Sequence, residues 1–221
     1  MRSPFTVLHL LVFLVLLALL MAMVYVGAVT VAADKLGLSQ GAVIVLLFGS
    51  LLGSHINLPM FTVRAQRPPE TLQQRWTRMI RLQQQPFRGR TIIAINLGGA
   101  LIPVAFSAYL LTHQPVGLLE AAGAIALVAA ISYIASRPIP GVGVGMPILI
   151  APLSAAVVAM LLSAEHSPPL AYIGGTLGVL LGADLLRLPD IRRMGVNVAA
   201  IGGAGTFDGI FITGIVAVLL A

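Results

Sequence analysis

Seven long apolar stretches follow one another along the chain, separated by short stretches that carry charged residues or proline and glycine. They cover residues 5–33, 41–58, 91–111, 116–134, 147–162, 170–186 and 194–221. Because a helix needs about 20 apolar residues to cross the hydrocarbon core of a bilayer, the pattern predicts about seven membrane spans. The expected fold class is all-α, a polytopic bundle of transmembrane helices that forms a single transmembrane domain over residues 1–221.

The composition agrees with this class of protein. Hydrophobic residues make up 58% of the chain, charged residues only 9%, and the mean hydropathy is +1.01, which excludes a water-soluble globular domain. The lipid bilayer is therefore the first expected partner. The absence of cysteine excludes disulfide bonds, thiolate catalysis and zinc sites with cysteine ligands. No cofactor and no metal site is expected, because His113, Glu165 and His166 are isolated and lack ligand spacing.

Basic residues predict how the chain is oriented. Of the 13 lysines and arginines, 12 fall on one side of a bundle with seven spans, and only Lys35 falls on the other. Since loops rich in lysine and arginine stay in the cytoplasm, we expect a multi-pass protein of the plasma (inner) membrane with its N-terminus inside and its C-terminus outside. The first apolar stretch is longer than a signal-peptide core, which favours an uncleaved anchor.

The longest polar stretch, residues 64–90, predicts a cytoplasmic loop with an amphipathic helix at the membrane surface. Leu72, Trp76, Met79 and Ile80 follow helical spacing, and arginines flank them. The same stretch could bind anionic lipids or a cytoplasmic partner. Nucleic acid is not an expected partner, because basic residues in a membrane chain report its topology.

Two aspartates end or interrupt apolar stretches. Asp184 ends the sixth stretch near the inner surface, whereas Asp208 lies deep inside the seventh. A carboxylate inside the membrane must be satisfied by a partner, an ion, water or its own proton. In a continuous helix, which rises 1.5 Å per residue, Asp208 would lie about 22 Å from Arg193. A glycine-rich break or a re-entrant segment before Asp208 removes this difference in depth. The candidate residues for the break are Gly202, Gly203, Gly205 and Thr206.

Such a break would let Asp184 and Asp208 face one another across a cavity that is open to the cytoplasm. Close carboxylates cannot both ionise, so one would hold a proton while the other acts as a base, as in aspartic proteases. His55 and Asn57, near the inner end of the second span, either bond to neighbouring helices or line this cavity. Arg137 begins an irregular loop rich in proline and glycine, and it either follows the topology rule or acts as the counter-charge of Asp184.

Four motifs carry a resemblance to known families. They are GSHINLP at 53–59, RPIPG at 137–141, GADLL at 182–186 and IGGAGTFDGIF at 201–211. With these motifs the chain resembles a bacterial and archaeal family of small polytopic membrane proteins classed as a domain of unknown function. The last two motifs also resemble those of presenilin-type intramembrane aspartyl proteases, in which a second aspartate follows Gly-x-Gly. This resemblance implies that Asp184 and Asp208 are catalytic, although Thr206 and Phe207 separate Gly205 from Asp208 here.

Three functions follow from these patterns. The first is an intramembrane aspartyl protease that cleaves a transmembrane peptide with Asp184 and Asp208. The second is an ion- or proton-coupled transporter or channel for a small solute, with Asp208 at an unwound helix. The third is a membrane protein without catalysis, whose aspartates are structural. The sequence leaves the oligomeric state undetermined.

Overall fold

Helices make up most of the computed structural model, which describes residues 7–25, 27–66, 87, 89–139, 143–203 and 209–221. The nine α-helices of these residues are α1 (Val7–Tyr25), α2 (Ala28–Leu36), α3 (Gln40–Gly53), α4 (Ile102–His113), α5 (Leu118–Ala135), α6 (Ile150–Leu162), α7 (Ser167–Val179), α8 (Leu188–Met194) and α9 (Gly209–Leu220). Two π-helical segments, Leu97–Leu101 and Leu180–Leu185, precede α4 and follow α7. The five strands are β1 (Asn57–Arg64), β2 (Arg90–Asn96), β3 (Arg137–Ile139), β4 (Gly143–Gly145) and β5 (Val198–Ile201).

Helix α7 forms the centre of the bundle and contacts α4, α5, α6 and α9. Along α7 and the π-helical segment after it, three glycines recur every fourth residue and face Ala124, Val128 and Ala129 of α5. These glycines are Gly174, Gly178 and Gly182. Small residues let two helix backbones approach closely, which favours packing where no water drives the helices together. We call these three residues the α7 glycine row.

An all-α fold is wrong for one end of each of three apolar stretches. β1 pairs antiparallel with β2, and β2 pairs parallel with β5, so the strand order is β1-β2-β5. The predicted helices at 57–58, 91–96 and 198–201 are therefore extended. The sequence TIIAI at 91–95 is rich in β-branched residues, which fit a pleated sheet. Apolar runs this short do not distinguish a buried strand from a helix by periodicity.

The proline- and glycine-rich loop at 137–147 is also more regular than expected. Its residues in β3 and β4 pair antiparallel, with Arg137 opposite Gly145 and Ile139 opposite Gly143. The first apolar stretch, in contrast, is less regular than expected. It divides into α1 and α2 at Gly27, whose φ of 81° is one that glycine adopts without strain.

Among the described residues, one helix is long and apolar enough to cross a membrane, namely α5. Two further pairs of helices are apolar and long enough together, but each pair is bent at a short break. The angle is 106° between α2 and α3, and 48° between α8 and α7 with its π-helical segment; each pair would add a span if it crosses as one. The count is then up to three, so about seven spans stays a prediction. Each of the seven predicted stretches does overlap one of the helices.

The ends of the predicted cytoplasmic loop lie in the sheet. β1 runs out to Arg64 and β2 begins at Arg90, directly opposite. The predicted amphipathic helix between them falls on residues 67–86, which lie outside the described residues. Apolar side chains join the sheet to α8 through a small cluster that includes Ile93, Ile191 and Met194.

Candidate functional site

A cavity of about 390 Å³ lies where the π-helical segment after α7, α8, the β3–β4 pair, β5 and the start of α9 meet. Its described walls are mostly apolar, with Val144, Met146, Ile191, Ile201 and Ile210 among them. Asp184 is the only ionisable side chain among these described wall residues. A cavity of this size accommodates a few residues of a peptide or a small organic molecule.

Asp184 reaches this cavity from the π-helical segment Leu180–Leu185. Such segments are rare, and they occur frequently at functional sites because the wider turn redirects side chains. Asp184 is half-buried, and its Oδ2 accepts a hydrogen bond from the backbone N–H of Gly202 at 2.7 Å. The bond joins the end of α7 to the turn after β5, 18 residues further along the chain.

The turn after β5 depends on two glycines. Gly202 and Gly203 have φ values of 84° and 92°, which residues with a Cβ rarely adopt. The chain is extended from Val198 to Ile201 and turns at Gly202. The seventh apolar stretch is therefore interrupted before Asp208.

Gly202 also lies directly against the first π-helical segment. A Cβ added to Gly99 would overlap the carbonyl oxygen of Gly202, and one added to Gly98 would overlap that of Ser50 at the end of α3. Three separate parts of the chain thus meet through backbone atoms alone. We call Gly98, Gly99 and Gly202 the glycine crossing.

Asn96 holds the glycine crossing in place. Its side chain is fully buried, and its Nδ2 donates to the carbonyl oxygen of Ser54 at 2.6 Å and to Asn57 Oδ1 at 3.0 Å. Its Oδ1 accepts the backbone N–H of Gly99 at 2.7 Å, so the side chain caps the π-helical segment. Asn96 therefore ties the end of α3 and the start of β1 to the crossing.

His55, Asn57 and Arg137 are not among the described wall residues of the cavity. His55 follows α3, where its Nδ1 lies 3.2 Å from the carbonyl oxygen of Leu51, and Asn57 bonds to Asn96. Arg137 is exposed in β3. An ion pair joins Arg187 to Asp190 at 3.2 Å, and the role of Arg137 as the counter-charge of Asp184 stays a prediction.

Gly205, Thr206 and Asp208 lie outside the described residues, so the pairing of Asp184 with Asp208 stays a prediction. The residues on either side of this segment do line the cavity. Gly203 precedes it and Ile210 follows it, and both belong to the same walls as Asp184.

Sequence reasoning missed Thr213, which also lines the cavity. Its Oγ1 is buried and has no hydrogen-bond partner in the described part of the chain. A buried hydroxyl without a partner costs free energy, which a bound molecule or water in the cavity could recover. The available signal was the lone threonine in the apolar helix that follows Asp208.

The DUF1614 family of proteins of unknown function matches residues 51–220. The chain belongs to this family. A comparison with curated proteins and with solved structures gives no significant match. The match agrees with the predicted resemblance to a family of unknown function, while the resemblance to presenilin-type proteases stays a prediction. The matched region contains the glycine crossing, the cavity walls and both aspartates.

Within the DUF1614 region, Arg187 fixes the junction between α7 and α8 beside the cavity. Its guanidinium donates to the carbonyl oxygens of Tyr133 at 2.6 Å and Ser136 at 2.8 Å, at the end of α5. It also lies 4.1 Å from the centre of the Tyr133 ring, where a cation is attracted to the π-electrons. The arginine nearest to Asp184 in sequence thus has a structural role in this chain.

Proposed function

We propose that this DUF1614 protein is an intramembrane aspartyl protease in which Asp184 and Asp208 share one proton beside the cavity. One observation carries the proposal: Asp184 Oδ2 accepts the N–H of Gly202 at 2.7 Å. This bond joins the first carboxylate to the segment that bears the second. The cavity walls formed by Gly203 and Ile210, on either side of Asp208 in the sequence, lend further support.

The protease works in the plasma (inner) membrane, with about seven spans, an N-terminus inside and a C-terminus outside. Contacts at the two ends of the bundle support this topology. At one end, Lys35 Nζ donates to the carbonyl oxygen of Leu219 and Ser167 Oγ donates to that of Ala221, each at 3.1 Å. At the other end, the sheet joins segments next to two predicted cytoplasmic loops. Segments predicted on one side of the membrane thus contact each other.

The chemistry is hydrolysis of a peptide bond in a transmembrane substrate, and it needs only the two side chains and water. The ionised carboxylate takes a proton from a water molecule, whose oxygen then attacks the carbonyl carbon of the substrate. The protonated carboxyl gives its proton to the carbonyl oxygen. When the tetrahedral intermediate collapses, the C–N bond breaks, the leaving amine takes the proton that the first carboxyl group received from water, and a hydroxyl of the intermediate returns a proton to the second carboxylate. Two close carboxyl groups suit this reaction because only one of them ionises readily.

The walls of the cavity fit an apolar peptide substrate. Val198 and Ile201 of β5 and Ile210 of α9 offer apolar contacts, and Thr213 offers a hydroxyl that a substrate carbonyl or amide can bond. A few polar groups in a mostly apolar pocket fix the orientation of a ligand, whereas the apolar surface holds it.

The decisive experiment measures cleavage of a transmembrane peptide that carries a fluorescent reporter at its cytoplasmic end, by the protein reconstituted in lipid vesicles. Asp184→Asn and Asp208→Asn should each lower the cleavage rate by about 10² to 10⁴-fold, because each removes an acid or base. The double variant should be no slower than the slower single variant, since residues that act as a unit are not additive.

The matched control is Asp190→Asn, which removes a carboxylate of α8 that pairs with Arg187 and is not among the described cavity walls. This control should retain cleavage. Cleavage at the rate of the unmodified protein in either Asp184→Asn or Asp208→Asn would rule out the shared carboxyl pair.

Transport is the second candidate function, and the interrupted seventh stretch favours it. With φ values of 84° and 92° at Gly202 and Gly203, the chain leaves backbone groups outside a helix, where they can bind an ion next to Asp208.

Proton flux into vesicles, followed with a pH-sensitive dye, tests this function. A transporter should lose flux in Asp208→Asn and keep it in Asp184→Asn, whereas a protease needs both aspartates. Unchanged flux and no cleavage in any form would leave the aspartates with structural roles.

A further inference from the structure

Four arginines belong to the end of the sheet that is furthest along β1 from α3 and to the end of α8 beside it. They are Arg64, Arg90, Arg192 and Arg193, and all four are exposed. Arg64 and Arg90 are opposite partners in the β1–β2 ladder. The backbone N–H of Gln66 donates to the carbonyl oxygen of Arg192 at 2.7 Å, which brings the end of α8 to the same place. We call these residues the arginine cluster.

The charge of the arginine cluster is not balanced within the described part of the chain. None of its guanidinium groups forms an ion pair with a described residue. Arg64 lies directly opposite Arg90, and like charges in this position of a ladder are expected to destabilise it. The fold therefore keeps positive charges together at a cost that an external anion would offset.

Apolar side chains on β1 indicate where that anion lies. Leu58, Met60 and Phe61 are 44%, 59% and 53% exposed, between the end of α3 and Arg64. At about 3.3 Å per residue, Arg64 lies roughly 10 Å beyond Phe61 along the strand. Along β1, exposed apolar residues are followed by arginines, just as the hydrocarbon layer of a bilayer leaflet is followed by its phosphate headgroups.

We infer that the arginine cluster and the exposed β1 residues form a surface that binds the phosphate headgroups of anionic lipids in the cytoplasmic leaflet. Guanidinium groups bind phosphate oxygens in pairs, which gives both charge and geometric fit. The negative potential of that leaflet adds to the attraction. This inference rests on the sheet and not on Asp184 or Asp208, so it is independent of the proposed protease.

The test compares thermal unfolding of the whole protein in nanodiscs of phosphatidylcholine with and without phosphatidylglycerol. Phosphatidylglycerol should raise the Tm of the unmodified protein, and the double variant Arg64→Gln/Arg90→Gln should lose most of this rise. In phosphatidylcholine alone, the double variant should be at least as stable as the unmodified protein, because the repulsion is gone. Binding of labelled phosphatidylglycerol in detergent should weaken by about tenfold or more.

Two controls make the result specific. Arg137→Gln removes an exposed arginine of β3 outside the cluster and should keep the response to phosphatidylglycerol, whereas Arg64→Gln should reduce it. Inorganic phosphate added to phosphatidylcholine discs should not reproduce the rise in Tm. An equal response in the double variant and the unmodified protein would overturn the inference. A full response to inorganic phosphate would overturn it as well, since the surface would then be a site for free anions.

Discussion

Glycines bring the chain together in two regions, and they do so against different kinds of atoms. In the α7 glycine row, a Cβ added to Gly174 would lie 2.9 Å from the Cβ of Ala124, which is a side chain. In the glycine crossing, a Cβ added to Gly99 would overlap a backbone carbonyl oxygen. The contact of 2.9 Å at Gly174 is relieved if α5 moves outward as a whole, whereas the overlap at Gly99 requires the backbone of the turn after β5 to move. At Gly174 the row therefore tolerates an added methyl group better than the crossing does at Gly99.

The less tolerant region is the one that carries the candidate site. Gly202 belongs to the crossing, and its N–H holds Asp184 at the cavity. A rigid support of this kind suits a reactive group, because displacing a catalytic group by about 1 Å lowers the rate of the reaction by a large factor. The bundle around α7 contributes packing to the fold, while the glycine crossing fixes the position of Asp184.

The largest expected effect is that of Gly99→Ala. The added methyl group overlaps the carbonyl oxygen of Gly202, so the backbone must move, and we expect a loss of about 3 kcal/mol or more in the free energy of unfolding. Denaturant unfolding in detergent measures it. Gly123→Ala is the matched control, since its Cβ would make an ordinary contact of 3.6 Å with Leu162. Equal stability of the two variants would mean that the crossing is not a close backbone contact.

Asn96→Ala should be the next most damaging change. It leaves the Ser54 carbonyl, the Asn57 side chain and the Gly99 N–H without their partner, at a cost of about 2 to 3 kcal/mol in unfolding free energy. Asn57→Ala, which removes a single bond of a half-buried residue, should cost about 1 kcal/mol in the same assay. A larger loss of unfolding free energy for Asn57→Ala than for Asn96→Ala would show that the hydrogen bonds of the Asn96 side chain do not hold the glycine crossing in place.

Much of the helical part of this fold follows from the sequence. Each apolar stretch overlaps a helix, because twelve or more apolar residues in a row have few other ways to satisfy their backbone groups. The interruption at Gly202 and Gly203 was also predictable, since two adjacent glycines among apolar residues weaken a helix. The neighbouring pair Gly98 and Gly99 carries the same signal and could have indicated the other half of the crossing.

The strands and the contacts of the site do not follow from the sequence in the same way. Ile92 and Ile93 suit a helix or a strand equally well, and only β1 and β5, which are distant in sequence, decide between them. The sequence offers Arg137 as a counter-charge for Asp184, but it gives no sign of the hydrogen bond from the Gly202 amide. Every residue except proline offers such an amide, so no side-chain pattern reveals which one is used.

Gly182→Ala is expected to rank third, because the α7 glycine row is not uniform. A Cβ at Gly182 would overlap the backbone carbonyl oxygen of Ala129, so this end of the row resembles the crossing. We expect a loss of about 2 kcal/mol in unfolding free energy, and a shift of the adjacent Asp184 that also lowers any activity of the site. A variant with the stability of the unmodified protein would place α5 further from the π-helical segment.

Asp184→Ala should follow, with a loss of about 1.5 kcal/mol, because the Gly202 N–H loses its bond to a carboxyl oxygen. Asp184→Asn keeps an oxygen for that N–H and should lose less than about 1 kcal/mol. The two variants distinguish the structural role of Asp184 from its catalytic role. If the site is catalytic, both variants abolish activity, although only Asp184→Ala destabilises the turn at Gly202. Equal stability of the two variants would show that the bond to Gly202 does not hold the turn.

Gly174→Ala is expected to have the smallest effect, about 1 kcal/mol. Because the Cβ of Ala124 is fixed to the backbone, the new methyl group needs α5 to move as a whole, at a cost of about 2 kcal/mol, but alanine is favoured over glycine inside a helix by about 1 kcal/mol. The second term offsets part of the first, so the unfolding midpoint in detergent should fall by less than that of Gly182→Ala. A loss as large as that of Gly182→Ala would mean that α5 cannot adjust at either end, and the distinction between side-chain and backbone contacts would then fail.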